Sequence, residues 1–374
     1  MNVGIITTSY PNEGNTSNGI FVHNQVKGLK KNGENVIVLY LDFRSIRNKR
    51  PWGLSHYEYE GVKVYRFSLP IGPIYPVIYS LMPKALWILY CYAISLDKKK
   101  LDILHAHFWR AGIAAVYLKK KLNIPCLITE HGSDVLNMKF KARELKLIKK
   151  VYSDSNMVIA VSNALIGKIS QLSMVQTTNI PNLVPEYMFI ERQPRHDGEF
   201  NFVSVGNLVE SKRFDLTIRA VKELINCNYN VHLYIAGEGP LKEKLERLAG
   251  TMYGSAIHFL GRIDNRQLPT LYQKMDCFVL PSDYETFGVA YIEANATGIP
   301  VIATKCGGPE EIVKPGVNGV LVDIGDYHCL LDEMKHMISN YKKYDLRKIQ
   351  LNTESKYGEK MICNRISEIY RSLD

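Results

Sequence analysis

Seven cysteines in 374 residues, at 91, 126, 227, 277, 306, 329 and 363, form no close pair and no ligand-type spacing. That excludes a disulfide scaffold or a zinc ribbon, and buried free thiols in a reducing cytosol are expected. No Asp-x-Asp occurs, so no metal-gripping carboxylate pair of that type exists. Nothing after the first apolar strand spells Gly-x-Gly-x-x-Gly, so the dinucleotide fingerprint is absent too. The first nine residues are strand-like, without a basic start or cleavage site, and no signal peptide is expected. A clean apolar run of the roughly 20 residues that cross a bilayer is also lacking. Pro70 to Leu96 carries only Lys84 as a charge, but Pro73, Pro76 and Pro83 interrupt it. A helix is expected over Ala85 to Leu96. Either it is buried or half-buried, which is preferred, or it lies at a membrane interface. In the second case Tyr75, Tyr79, Trp87, Tyr90 and Tyr92 sit at headgroup level beside Lys98, Lys99 and Lys100.

Acidic charge is scarce in one half only. Residues 1–190 hold 24 Lys+Arg against 12 Asp+Glu, a net of +12; residues 191–374 hold 23 against 25, a net of −2. Such a field steers nucleic acid, anionic lipid or phosphorylated substrates to the first half, unless it is simply a solvated surface. The length exceeds what one core usually supports, so two domains are expected.

Along the chain, strands and helices alternate in two sets, which implies a doubly wound α/β architecture. Val3 to Thr7 is a strand, followed by a turn-rich segment, Gly19, and a helix from Ile20 to Lys31. Asn35–Leu41 and Val62–Phe67 read as the next strands, with a basic stretch from Arg44 to Arg50 and Trp52 between them where acceptor contacts are expected. Leu101 to His107 is a strand with His105 and His107 on one face. With no third ligand at suitable spacing, structural histidines are preferred over a metal site. After a helix at 111–122, the strand Pro125–Thr129 ends in Glu130-His131-Gly132, and a histidine there sits where open α/β sheets bind ligands. Residues 183–200, with Pro185, Pro194 and the run from Arg192 to Gly198, read as a linker.

The second set starts at Phe202, and its loop Gly206 to Arg213 precedes a helix. The stretch Pro281 to Ala294 places a strand end, a loop and a helix start in one run. Gly288 opens a helix whose free N–H groups and positive dipole end suit a phosphate. Glu285 and Glu293 flank that point, and carboxylates accept paired hydrogen bonds from vicinal hydroxyls. A phosphate with hydroxyl-rich groups on either side is the ligand that suits both features.

Glu285 and Glu293, followed by Gly298 to Thr304 and Gly307 to Ile312, resemble the signature of family 4 retaining glycosyltransferases of the GT-B fold. The resemblance is strong in the second half and thinner in the first. It implies two Rossmann-like α/β domains facing each other across a cleft: residues 1–190 for the acceptor, 191–355 for the nucleotide-sugar donor, and a last helix near 356–374 crossing back. It further implies that Glu285 holds the donor sugar and Glu293 the ribose. Lys212, with Arg213, stabilises the departing diphosphate. Gly19 approaches that diphosphate, His131 lies beside the sugar, and the backbone at Arg262 and Ile263 pairs with the base. Phe287 and Gly288 complete the donor set. The family usually has an arginine where Asn207 stands, so either Arg213 substitutes or the amide donates instead. The implied partners are a nucleotide sugar, a UDP-sugar first, and a saccharide or lipid-linked saccharide of a surface polysaccharide, with peripheral contact to anionic membrane at the inner face of the cell membrane. Neither metal nor nucleic acid is expected. A nucleotide-sugar epimerase of the same fold, and a non-catalytic basic protein binding membrane or polymer, remain alternatives.

Overall fold

In the computed structural model, residues 1–44, 50–191 and 198–373 are described. They form two compact units, one comprising Met1–Leu183 with Glu359–Asp374 and the other Val184–Gly358. Each is a Rossmann-like α/β unit with its own sheet.

The first unit contains β1 (Asn2–Thr7), β2 (Asn35–Asp42), β3 (Gly53–Tyr59), β4 (Val62–Ser68), β5 (Ile103–His107), β6 (Cys126–Glu130), β7 (Met157–Ala160) and β8 (Thr177–Asn179). Its helices are α1 (Ile20–Lys31), α2 (Tyr75–Asp97), α3 (Phe108–Leu122), α4 (Ser133–Leu136), α5 (Ala142–Asp154) and α6 (Asn163–Leu172). The sheet order is β3-β4-β2-β1-β5-β6-β7-β8, parallel except for the antiparallel pair β3–β4. Strands such as β1 and β5 are buried almost throughout, as expected of a parallel sheet covered by helices on both faces. One core packs Val3, Ile5 and Val38 against Ile362, Ile366 and Tyr370, so the C-terminal helix completes this unit.

The second unit contains β9 (Phe200–Val205), β10 (Val231–Ala236), β11 (Ile257–Gly261), β12 (Cys277–Leu280), β13 (Val301–Thr304) and β14 (Gly319–Val322). Its helices are α7 (Phe214–Asn226), α8 (Lys242–Ala249), α9 (Leu268–Gln273), α10 (Val289–Ala296), α11 (Pro309–Ile312), α12 (Tyr327–Asn340) and α13 (Leu346–Tyr357); α14 (Glu359–Leu373) returns to the first unit. The order β11-β10-β9-β12-β13-β14 is wholly parallel. In both sheets the winding reverses at one place, between β1 and β5 and between β9 and β12. Ligands of such sheets bind outside the strand ends there.

Several expectations need correction. Pro83 does not break its helix: α2 runs unbroken for 23 residues, because Pro76 sits in its first turn and Pro83 is accommodated within it. By length and composition alone α2 could cross a membrane. Its inner face, however, packs on α3, β2 and β4. The edge strand β3 went unforeseen, since its exposed Leu54, His56 and Glu58 give no apolar run. The last helix, expected near 356–374, spans Glu359–Leu373, and a separate helix over Leu346–Tyr357 meets it at Gly358. The cysteines are all free, but Cys91 and Cys227 are exposed and Cys329 half-buried, on outer helix positions. Most of the basic stretch 44–50 and of the linker run 192–198 lies outside the described residues.

Candidate active site

At the reversal point of the first unit, β1 ends in Thr7, whose hydroxyl donates to the Ser9 carbonyl at 2.8 Å and tightens the turn. The loop then reaches Gly19, the cap of α1, with φ 70° and ψ 27°. A Cβ there would lie 2.4 Å from the Ser9 carbonyl oxygen, so only glycine permits the loop to fold back on itself.

The neighbouring strands carry three stacked imidazoles. His105 and His107 lie with ring centroids 4.7 Å apart, and His107 and His131 5.3 Å apart. His107 Nδ1 and His131 Nε2 share a hydrogen bond of 3.0 Å, so the proton position on one ring sets that on the other. His105 is tied to Tyr370 of α14 at 2.7 Å and to Thr129 at 2.6 Å. Burial pushes His107 down to about 3. Burial, then the neighbouring histidine charge, holds His105 and His131 well below the usual range. All three rings are therefore neutral at pH 7. They are hydrogen-bonded structural groups with one edge, at His131, reaching the strand ends.

Glu130 anchors this corner. Its carboxylate accepts from the backbone N–H groups of His131 (3.0 Å), Gly132 (2.7 Å) and Trp109 (3.0 Å) and from the Tyr152 hydroxyl (2.7 Å). It thereby satisfies orphan donors at the starts of α3 and α4. Burial raises its carboxyl to about 7 against the pull of these bonds. A cavity of about 320 Å³ opens nearby, walled by Leu41, Phe43, Tyr75, Ile78, Tyr79 and Met82, with Arg44 and Arg110 among its lining. Arg110 pairs with Asp134 at 2.8 Å and Arg44 with Asp42 at 2.8 Å.

The reversal point of the second unit is ionic instead. Glu210–Lys212 forms one 3-10 turn after β9, and Arg213, at φ 50° and ψ 40°, starts α7. Lys212 Nζ donates to Glu285 Oε1 at 2.6 Å, and the Ser282 hydroxyl donates to the same oxygen at 2.9 Å. The Glu285 backbone is fixed in turn: its carbonyl accepts from Gly308 N–H at 3.0 Å. Arg213 reaches Asp215 at 3.2 Å and Asp283 at 3.3 Å, while Asp283 N–H donates to the Ser211 carbonyl at 2.8 Å. The two loops are thus zipped together along their length. Lys212 and Glu285 side chains keep 22% and 11% of their surface exposed, enough to meet a ligand from one side.

Phe287 is buried with its ring against Tyr357. Gly288 then caps α10 at φ 101°, where a Cβ would strike the Tyr291 ring at 2.5 Å. Tyr291, itself bonded to the Leu280 carbonyl at 2.7 Å, sets where α10 begins. Glu293 is half-buried in α10, and burial raises its carboxyl to about 7. Asn207 is exposed at the end of β9, and Arg262 and Ile263 follow the edge strand β11.

Lys212, Glu285, Arg213, Phe287 and Gly288 therefore come together directly, Glu293 stands further along the same helix, and Gly19 and His131 belong to the first unit. Asn207, Arg262 and Ile263 lie at the ends of β9 and β11. Sequence reasoning missed Ser282, Asp283, Glu130 and His107 as members of these clusters. Their signal was position, since His107 and Glu130 end β5 and β6, and Ser282 and Asp283 lie in the loop that leads from β12 to Glu285. Among the described residues no group of three or more His, Cys, Asp or Glu is arranged to hold a metal ion.

Residues 188–351 match the family described as "Glycosyl transferases group 1", and residues 19–185 the one described as "Glycosyltransferase Family 4". An uncharacterised glycosyltransferase of Methanocaldococcus jannaschii is 30% identical over 247 residues, covering 66% of this chain and 68% of that protein. Sucrose-phosphate synthase from Thermosynechococcus elongatus superposes with a TM-score of 0.81 at 19% identity, over 100% of this chain and 99% of that one. Anabaena HepE, in complex with UDP and glucose, superposes with a TM-score of 0.76 at 18% identity, again over 100% and 99%.

Proposed function

The chain belongs to the family 4 glycosyltransferases of the GT-B fold, and from that premise we propose that it moves a sugar, with retention, from a UDP-sugar to a hydroxyl of a saccharide or lipid-linked saccharide. The observation that carries the reading is the Lys212–Glu285 pair, 2.6 Å long, beside the cap of α10 at the sheet's reversal point. It combines a held cation, a helix start and a carboxylate, which suits a diphosphate bonded to a polyhydroxyl sugar. UDP is put first because HepE, of the same fold, is a complex with UDP and glucose.

In this mechanism the bond between the sugar C1 and the diphosphate oxygen breaks, and the acceptor hydroxyl oxygen bonds to C1 on the same face. The acceptor proton goes to an oxygen of the departing nucleoside diphosphate. Lys212 and the N–H groups at the start of α10 stabilise the charge that develops on that leaving group. Glu285, braced by Ser282, orients sugar hydroxyls, and Glu293 receives those of the ribose. Asn207, Arg262 and Ile263 are assigned to the diphosphate and base, and the family motif assigns Gly19 and His131 to the diphosphate and sugar. Arg213, held by two carboxylates, acts by bracing the Lys212 loop. No metal enters the scheme, since Lys212 and the helix start supply the positive charge. The reaction is placed at the cytoplasmic face of a membrane, in polysaccharide synthesis, and the cavity beside Tyr75 is offered to the acceptor.

The test is release of nucleoside diphosphate from UDP-, GDP- and ADP-sugars with and without saccharide and lipid-linked acceptors, the anomeric product being read by NMR. Acceptor-dependent release with retention is expected. Turnover of donor without acceptor would favour an epimerase, and no turnover with any donor would favour a binding protein.

A further inference from the structure

Sixteen large hydrophobic side chains are exposed among the described residues, and nine of them fall between residues 52 and 96. They occupy two adjoining elements. Trp52 and Leu54 belong to the β3 edge, while Ile74, Tyr75, Val77, Leu81, Trp87, Ile88 and Leu96 belong to α2 or its first turn. The elements touch through a hydrogen bond of 2.8 Å between His56 and Tyr92.

Within α2 the exposed positions 74, 77, 81, 84 and 88 recur every three or four residues, which places them in one stripe. Its opposite face, with Met82, Leu86 and Leu89, is buried, so the exposed stripe is a second apolar face that the fold leaves uncovered. A contiguous apolar face of this extent on a polar protein marks a docking surface.

Two occupants compete, a second copy of this chain or a lipid surface. Lys84 stands in the middle of the stripe and Lys98, Lys99 and Lys100 follow its end, all exposed. A twofold contact along this face would bring like charges together, whereas at a bilayer lysines reach the headgroups while apolar side chains enter below them. Charge across the molecule agrees. The first unit holds 27 Lys+Arg and 14 Asp+Glu, a net of +13, and the second 20 and 23, a net of −3.

We propose that the outer face of α2, with Trp52 and Leu54, is the surface by which this protein lies on an anionic bilayer. Tyr75 both begins this face and lines the cavity of about 320 Å³, so a lipid-linked acceptor would enter the cavity from the membrane side. Only that last link rests on the proposed glycosyl transfer.

The test is flotation of the full chain with vesicles of phosphatidylcholine alone or mixed with phosphatidylglycerol, at low and high salt, without donor or acceptor. Binding is expected only with the anionic lipid and is weakened by salt. The triple variant Val77→Asp, Leu81→Asp, Ile88→Asp should reduce partitioning by roughly 100-fold, the scale of withdrawing three apolar side chains from lipid. Replacing Lys98, Lys99 and Lys100 by Gln should cost roughly fivefold per lysine. Unchanged circular dichroism and melting temperature of both variants show that the fold is kept. Absence of flotation, flotation untouched by the triple variant, or equal binding to neutral vesicles overturns the proposal. So does a dimer, seen by sedimentation, that the triple variant dissociates. None of these results depends on sugar transfer, so a failed transferase assay and a failed flotation are separate outcomes.

Discussion

The two reversal points are built on the same topology but hold their polar groups in opposite ways. In the first unit the histidines and Glu130 are buried, and burial, joined at His105 and His131 by the neighbouring histidine charge, keeps the rings neutral. In the second, Lys212, Glu285, Arg213 and Asp283 are partly exposed and form ion pairs across two loops. A buried hydrogen-bond network fixes shape, because each bond lost leaves a polar atom that is costly to bury. An open ionic one can exchange its partners for a ligand's. The first unit therefore presents one rigid edge at His131, and the second presents charges that a phosphate can recruit.

The sharpest way to break this contrast is Glu130→Ala. It would leave three buried N–H groups without an acceptor, and the expected cost is about 3–5 kcal/mol in denaturant unfolding followed at His or Trp signals of the first unit. A loss under about 1 kcal/mol would show that water replaces the carboxylate at those N–H groups.

On the other side, Lys212→Ala should leave folding intact and cut turnover by roughly 100-fold or more, the scale of removing a charge that acts on the transition state. Single-turnover measurement separates that from slow product release. Full rate in the variant would mean that the α10 start or Arg213 suffices.

The smallest effect is expected at Glu293, which shares features of both regions. Its carboxyl is raised to about 7, so the folded state holds a proton that the unfolded chain has lost from about pH 4.5 upward. Stability contributed by that protonated form is present at pH 4.5 and lost as pH rises through 7. Glu293→Gln should therefore match the native protein at pH 5 and exceed it at pH 8 by on the order of 1–2 kcal/mol, with donor affinity reduced. Equal melting at both pH values would mean that Glu293 is solvated in the folded chain; unaltered donor affinity by calorimetry would remove its role at the ribose.

Much of this could be read from residue order. The helix Ile20–Lys31, the strand Cys277–Leu280 and the start of α10 at Gly288 follow from local signals, namely apolar runs bounded by glycine and proline. The pairing of Lys212 with Glu285 does not, since 73 residues separate them. Nor does the uninterrupted α2: its prolines signal a break, and packing against α3 and the sheet supports the helix through Pro83. The strand β3 was hidden because half its residues face solvent, which blurs the run that marks a buried strand.

The sequence alone determined the family, the two-unit α/β architecture and the stretch Glu285 to Glu293, because strand ends, caps and carboxylates are local in the chain. The tertiary structure alone decided which charges pair, that His107 holds His131, that Glu130 closes its corner, and that one face of α2 stays uncovered. These depend on which strands become neighbours, and the sheet fixes that by joining residues far apart in sequence.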